Sequence, residues 1–187
     1  VDRQEKMLEL HPFERSDFDR IVEWADDPRF LMQWAGPVFE HPLDHEQLEK
    51  YLAGAGGEKP KRIIWKGVDI ATNIVVGHIE IDKIDYGKKY GALSRVLIGI
   101  PGLRGRGMGR ELVGAALSCA FDDLSLDEVT LAVFDFNHAA IRCYEACGFE
   151  TFHRKARAIA VEGEKWGVIF MRLTRSGWLK KTSGGPS

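Results

Sequence analysis

The chain has 187 residues, 44% of them hydrophobic and 29% charged, the composition of one globular domain and not of a disordered chain. Lys and Arg total 26 against 28 Asp and Glu, a formal charge of -2, so no global field draws it to nucleic acid or to an anionic membrane. Any anion it binds must be captured locally.

Leu8 to Phe13 reads as a first strand. Ser16 and Asp19 then form a capping-box-like start to a helix that buries Phe18, Ile21, Val22 and Ala25 and stops before Pro28. The segment Phe30 to Phe39 is aromatic and apolar but broken by Gly36 and Pro37, which predicts a packed loop able to wall a pocket. A second helix starts at Asp44 as N-cap, with Gln47 three residues on and Leu43 and Leu48 placed as a hydrophobic staple.

After the turn at Gly54 to Gly57, Arg62 to Val68 and Ile74 to Ile84 read as an antiparallel hairpin, followed by a strand over Leu93 to Ile100. Apolar residues from Met108 to Leu124 recur at three- and four-residue steps, predicting an amphipathic helix over Gly107 to Asp123. Glu128 to Phe134 is a strand, and Asn137 caps a helix through Cys147 that Gly148 closes. Strands over Thr151 to Ala160 and Gly167 to Leu173 complete a single domain of residues 1–179, and 180–187 read as a disordered polar tail. Cys119, Cys143 and Cys147 lack the spacing of a disulfide scaffold or metal site, which predicts a reducing, cytoplasmic setting and no metal. The N-terminus carries charges where a signal peptide needs apolar residues, and no run is long enough to span a bilayer.

The informative stretch is Leu97-Ile-Gly-Ile-Pro-Gly-Leu-Arg-Gly-Arg-Gly-Met-Gly109, a strand passing through a glycine-rich turn into a helix. Unpaired backbone N–H groups, the positive end of the helix dipole and glycines without Cβ atoms make such a turn a phosphate cradle, and Arg104 and Arg106 add charge. No GxxxxGK[ST] occurs, and the glycine spacing is wrong for a dinucleotide fingerprint. Arg104-x-x-Gly107-x-Gly109, followed by Asn137-His-Ala-Ala-Ile-Arg-Cys-Tyr-Glu-Ala-Cys-Gly-Phe149, resembles the two signatures of the GNAT-superfamily acetyltransferases. The flanks, with Trp24, the Trp34 segment and Ile169-Phe-Met-Arg-Leu, are similar to the branch that includes the ribosomal-protein N-terminal acetyltransferases.

The resemblance implies an α+β fold, a mixed, mostly antiparallel sheet of about six or seven strands flanked by about four helices. In it the strands at Leu93 and Glu128 run parallel and splay around the pantetheine arm of acetyl-CoA. It also implies that Leu97, Ile98, Gly99, Ile100, Arg104, Gly105, Arg106, Gly107, Met108, Gly109, Arg110, Asn137, Ala140 and Tyr144 contact the co-substrate. Tyr144, which alone reads as a half-buried core tyrosine, becomes the proton donor to the departing CoA sulfur. A backbone N–H of the Leu97 to Ile100 strand stabilises the acetyl oxygen, with Gly99 marking a bulge.

Many relatives carry a glutamate early in that strand, where this chain reads Ala92-Leu-Ser-Arg-Val96. Glu80, which alternates with His78 and Asp82, is the substitute base, unless the three form the solvated face of a strand. Trp34, His78 and Glu80 are the candidate acceptor-binding residues, although Trp34 equally suits a core. The expected activity is acetyl transfer by direct attack, as monomer or homodimer, to a primary amine of a small molecule or a protein N-terminus. The rival is a non-catalytic acyl-CoA-binding domain, which has no use for a proton donor at the sulfur.

Overall fold

The computed structural model describes residues 6–183. Val1 to Glu5, on which half of the signal-peptide reading rests, and 184–187 lie outside the described residues. Seven strands, β1 (Leu8–Pro12), β2 (Ile63–Asp69), β3 (Ile74–Asp85), β4 (Tyr90–Ile98), β5 (Glu128–Phe134), β6 (Glu150–Val161) and β7 (Glu164–Thr174), form one sheet in the order β1-β2-β3-β4-β5-β7-β6. Every neighbouring pair is antiparallel except β4 with β5. That parallel pair touches only at Tyr90/Glu128, Gly91/Val129 and Ala92/Thr130, after which the strands part. This is the expected splay.

Six α-helices flank the sheet among the described residues: α1 (Phe18–Trp24), α2 (Pro28–Ala35), α3 (His45–Ala53), α4 (Met108–Ser118), α5 (His138–Ala146) and α6 (Arg175–Ser183). The two beyond the expected four are α2 and α6. The Phe30 segment is helical because Asp27 accepts a hydrogen bond from the Phe30 N–H at 2.6 Å and Pro28 occupies the first turn, where a missing N–H costs nothing. α1 stops before Pro28 as expected, but Pro28 also opens a helix of its own. The helix ends at Gly36, whose φ is 61°. Lys180 to Ser183, expected within the disordered tail, are the last turn of α6. The capping also differs from expectation: in the 3-10 turn Arg15–Asp17 that leads into α1, the Asp17 carboxylate, not Ser16 or Asp19, accepts from the Glu14 N–H.

α3 starts at Asp44, which accepts from the Gln47 N–H at 2.8 Å, as its spacing predicts. α4 packs Leu112, Val113, Ala116 and Leu117 on one face of the sheet and continues as a π-helical turn through Asp123. α1, α2 and α3 cover the opposite face of β2 and β3 with a second apolar cluster around Phe18, Leu31 and Leu48.

Between β3 and β4 the register slips: His78 pairs with Leu97 but Glu80 with Ser94, so two steps on β3 oppose three on β4. The extra residue is a β-bulge with Arg95 at φ 48°. The bulge is therefore at Arg95 and not at Gly99. Gly99 has another reason to be glycine, because a Cβ there would lie 2.0 Å from the indole of Trp24. Its N–H donates to the Val76 carbonyl at 2.9 Å and so is not free to bind an acetyl oxygen.

Candidate active site

Where β4 and β5 part, a cavity of about 590 Å³ opens, with Ser94, Arg95 and Val96 on one side, Thr130 to Phe134 on the other, and Tyr144 of α5 in its wall. Trp34 of α2 and Phe152 and Phe170 of the β6–β7 hairpin add aromatic surface. Tyr144 makes no hydrogen bond from its hydroxyl to another side chain among the described residues. Burial, with Cys143 and Cys147 nearby, raises its pKa above the usual phenol range, which keeps it a protonated donor.

His78 and Glu80 do not reach this cavity. Both are fully buried beneath it, so neither is the solvated strand face nor, in this geometry, a group that touches an acceptor. The Tyr51 hydroxyl, from α3, donates to Glu80 Oε2 at 2.7 Å. Having spent its one proton there, it accepts from His78 Nε2 at 3.0 Å, which fixes the Nε2–H tautomer and leaves Nδ1 bare and without a partner among the described residues. Arg95 pairs with Glu80 and, at 3.1 Å, with Asp82, while Arg62 Nε lies 3.2 Å from Glu80. Ser94 Oγ donates to Asp82 at 3.1 Å. Burial pushes the Glu80 carboxyl above its ordinary range, against the pull of Arg95 and the Tyr51 hydrogen bond. Burial and Arg95 together drive His78 down to about 3, so it is neutral.

The signal for this cluster was partly present, since Glu80 and Asp82 alternate along one strand. Their partners lie elsewhere in the chain, Arg95 on β4 and Arg62 just before β2, and only the slipped register brings Arg95 inward. Tyr51 reaches the cluster from α3, far away in sequence, and no strand pattern marks it.

The glycine-rich turn lies on the other side, at the start of α4. Gly105 and Gly107 take φ 75° and 89°, and a Cβ on Gly105 would meet nothing within 4 Å among the described residues, so the loop presents an open backbone surface. The first N–H groups of α4 are unpaired by the geometry of any helix start. Arg104, Arg106 and Arg110 are exposed around them, and Met108 is buried as an anchor. Arg104 Nε donates to the Ile98 carbonyl at 2.9 Å and its guanidinium sits 5.7 Å from the Phe30 ring centre, so this arginine braces the turn. Leu97 is buried, Ile98 and Ile100 half-buried, and none of Leu97 to Ile100 lines the cavity. Asn137 accepts from the Ala140 N–H at 3.3 Å, which commits its carbonyl oxygen to capping α5.

A model of the acetyltransferase (GNAT) domain matches residues 7–150. The chain belongs to the GNAT family. It is an acetyl-CoA-dependent N-acetyltransferase, and the open glycine turn at the start of α4 fits the diphosphate of that co-substrate. A purely binding role is not favoured. This GNAT chain is 26% identical over 177 residues to the spermidine N(1)-acetyltransferase of Vibrio cholerae, covering 94% of this chain and 97% of that relative. It is 29% identical over 103 residues to an uncharacterized N-acetyltransferase, YokL, of the SPbeta prophage of Bacillus subtilis, covering 55% and 57% of the two chains. Its fold is that of the crystal structure of the V. cholerae spermidine N-acetyltransferase in complex with CoA and spermine, with a TM-score of 0.79, 24% identity, and 92% and 98% of the two chains covered.

Proposed function

We propose that the chain moves an acetyl group from acetyl-CoA to a primary amine by direct attack in the cavity between β4 and β5, the amine belonging to a small molecule or, as in the ribosomal-protein N-terminal branch, to a polypeptide. The observation that carries this reading is the Tyr144 hydroxyl, protonated and unengaged by other side chains, in the wall of a cavity that opens where the parallel strands part. Tyr144 donates a proton to the thiolate as it leaves. No cysteine lines the cavity among the described residues, which supports direct attack over a covalent acyl-enzyme.

The amine must shed a proton before it attacks, because alkyl ammonium groups titrate near ~10.4 and α-amino groups near ~8. Glu80 is tied to Arg95, Arg62 and Tyr51, so the proton leaves through water. The loop residues Arg104 to Arg110 hold the diphosphate, and Trp34 walls the acceptor side.

A continuous seven-stranded sheet supports the single-domain reading of 1–179. Three free cysteines support a cytoplasmic setting, and no described helix is long and apolar enough to cross a membrane. The test is release of CoA thiol from acetyl-CoA with spermidine, the acceptor named for the V. cholerae relative, beside aminoglycosides, amino acids and N-terminal peptides. Thiol release that requires an amine is expected. A folded, CoA-binding protein inert with every amine would reject the assignment.

A further inference from the structure

The charge around the cavity is cationic, and it lies on the acceptor side. Lys83, Arg95 and Lys155 line the cavity, and no Asp or Glu among the described residues does. The carboxylates that pair with the lining residue Arg95, Glu80 and Asp82, are buried and held by Arg95 and Arg62, two anions against two cations. Lys83 and Lys155 are left over: both are exposed, and neither has a salt bridge among the described residues. Around the same cavity Tyr90 and Thr130 join hydroxyls at 2.6 Å, Ser94 donates to Asp82, and α2 supplies Trp34 from one side of the sheet. The glycine turn that suits the diphosphate of CoA begins α4, which packs on the opposite face. The two lysines therefore serve the acceptor.

We infer that Lys83 and Lys155 select an acceptor whose attacking amine lies beside a carboxylate, as in an amino acid, with its remainder against Trp34, Phe152 and Phe170. A polyamine would bring several ammonium groups to a wall that has two unpaired lysines and no accessible carboxylate, and like charges oppose one another there. The inference rests on the acetyltransferase reading above and names its substrate class.

The experiment compares kcat/KM for amino acids, for the amines left by removing their carboxyl groups, and for spermidine, in the native protein and in Lys155→Ala and Lys83→Asn. Asparagine is chosen because Lys83 has φ 51°, a conformation that asparagine tolerates. An amino acid should exceed its decarboxylated partner by about tenfold, the scale of one hydrogen bond to a charged group. Each variant should raise the amino acid's KM by a similar factor while leaving the KM of acetyl-CoA unchanged. Equal or better turnover of the decarboxylated amine or of spermidine overturns the inference, as does an amino-acid KM indifferent to both lysines. Those results leave the acetyltransferase assignment standing, whereas failure with every amine removes both.

Discussion

Tyr51 donates its hydroxyl proton to Glu80 across 2.7 Å, and that bond, with Arg95 on the other oxygen, holds the carboxylate below the cavity floor. Glu80 thus serves as the counter-charge that lets Arg95 sit at a bulge on the cavity wall. Replacing Glu80 by Gln leaves Arg95 buried with only Asp82, and removing one partner of a buried pair costs about 3 kcal/mol or more. Denaturant melts of Glu80→Gln should show that loss, while the folded enzyme keeps the acidic limb of its kcat/KM profile. A native-like melt combined with a fall of ~10²-fold and a vanished limb would restore Glu80 as the base.

The parts of the fold that were legible in the sequence rest on local signals. β5 occupies Glu128 to Phe134 as expected, and Asp44 and Asn137 cap α3 and α5, because alternation and capping are written within a few residues. The helix that Pro28 opens was not legible, because proline both ends helices and begins them, and only Asp27 just before it marks the second case. Arg95 was not legible as a wall residue, since a bulge is a mismatch between two strands and each strand alone looks regular. Lys155 is farther still: β6 reaches the cavity by pairing with β7, which pairs with β5.

Tyr144→Phe removes the phenol and keeps the ring. If the hydroxyl protonates the leaving sulfur, kcat should fall by ~10²–10⁴ while CoA affinity, measured by calorimetry, holds. Wild-type turnover would reduce Tyr144 to the core tyrosine it resembles in isolation.

Gly107→Val should weaken CoA binding by at least about tenfold. Its φ of 89° is hostile to a branched side chain, and the strain of about 1–2 kcal/mol falls on the turn proposed to meet the diphosphate. A folded Gly107→Val protein with native CoA affinity would reject the cradle.

Gly99→Ala should destabilise the fold by about 1–3 kcal/mol, the usual cost of overpacking, because the new methyl would lie 2.0 Å from the Trp24 ring. Trp24→Leu in the same chain should recover part of that loss, since the two side chains compete for one volume. Strict additivity of the two changes in a double-mutant cycle would mean that the indole does not set the requirement.

His78 supplies a pH dependence whose sign follows from its burial. In the folded chain, burial and the nearby Arg95 hold its pKa at about 3, whereas an unfolded histidine takes a proton near ~6.5. Between those values the unfolded state binds a proton that the native state refuses, so this residue's contribution to stability is complete above ~6.5 and is lost as pH falls. The slope is about 1.4 kcal/mol per pH unit. Glu80, raised by burial, acts in the opposite sense just above its ordinary range, so the comparison must hold it constant. His78→Gln does so, because a glutamine amide can still donate to Tyr51 but does not titrate. Urea melts from pH 7 to pH 4 should show the native protein losing stability relative to His78→Gln by nearly that slope below pH 6. Parallel curves would mean that His78 accepts its proton in the folded state, and the neutral Nε2–H link to Tyr51 would be wrong.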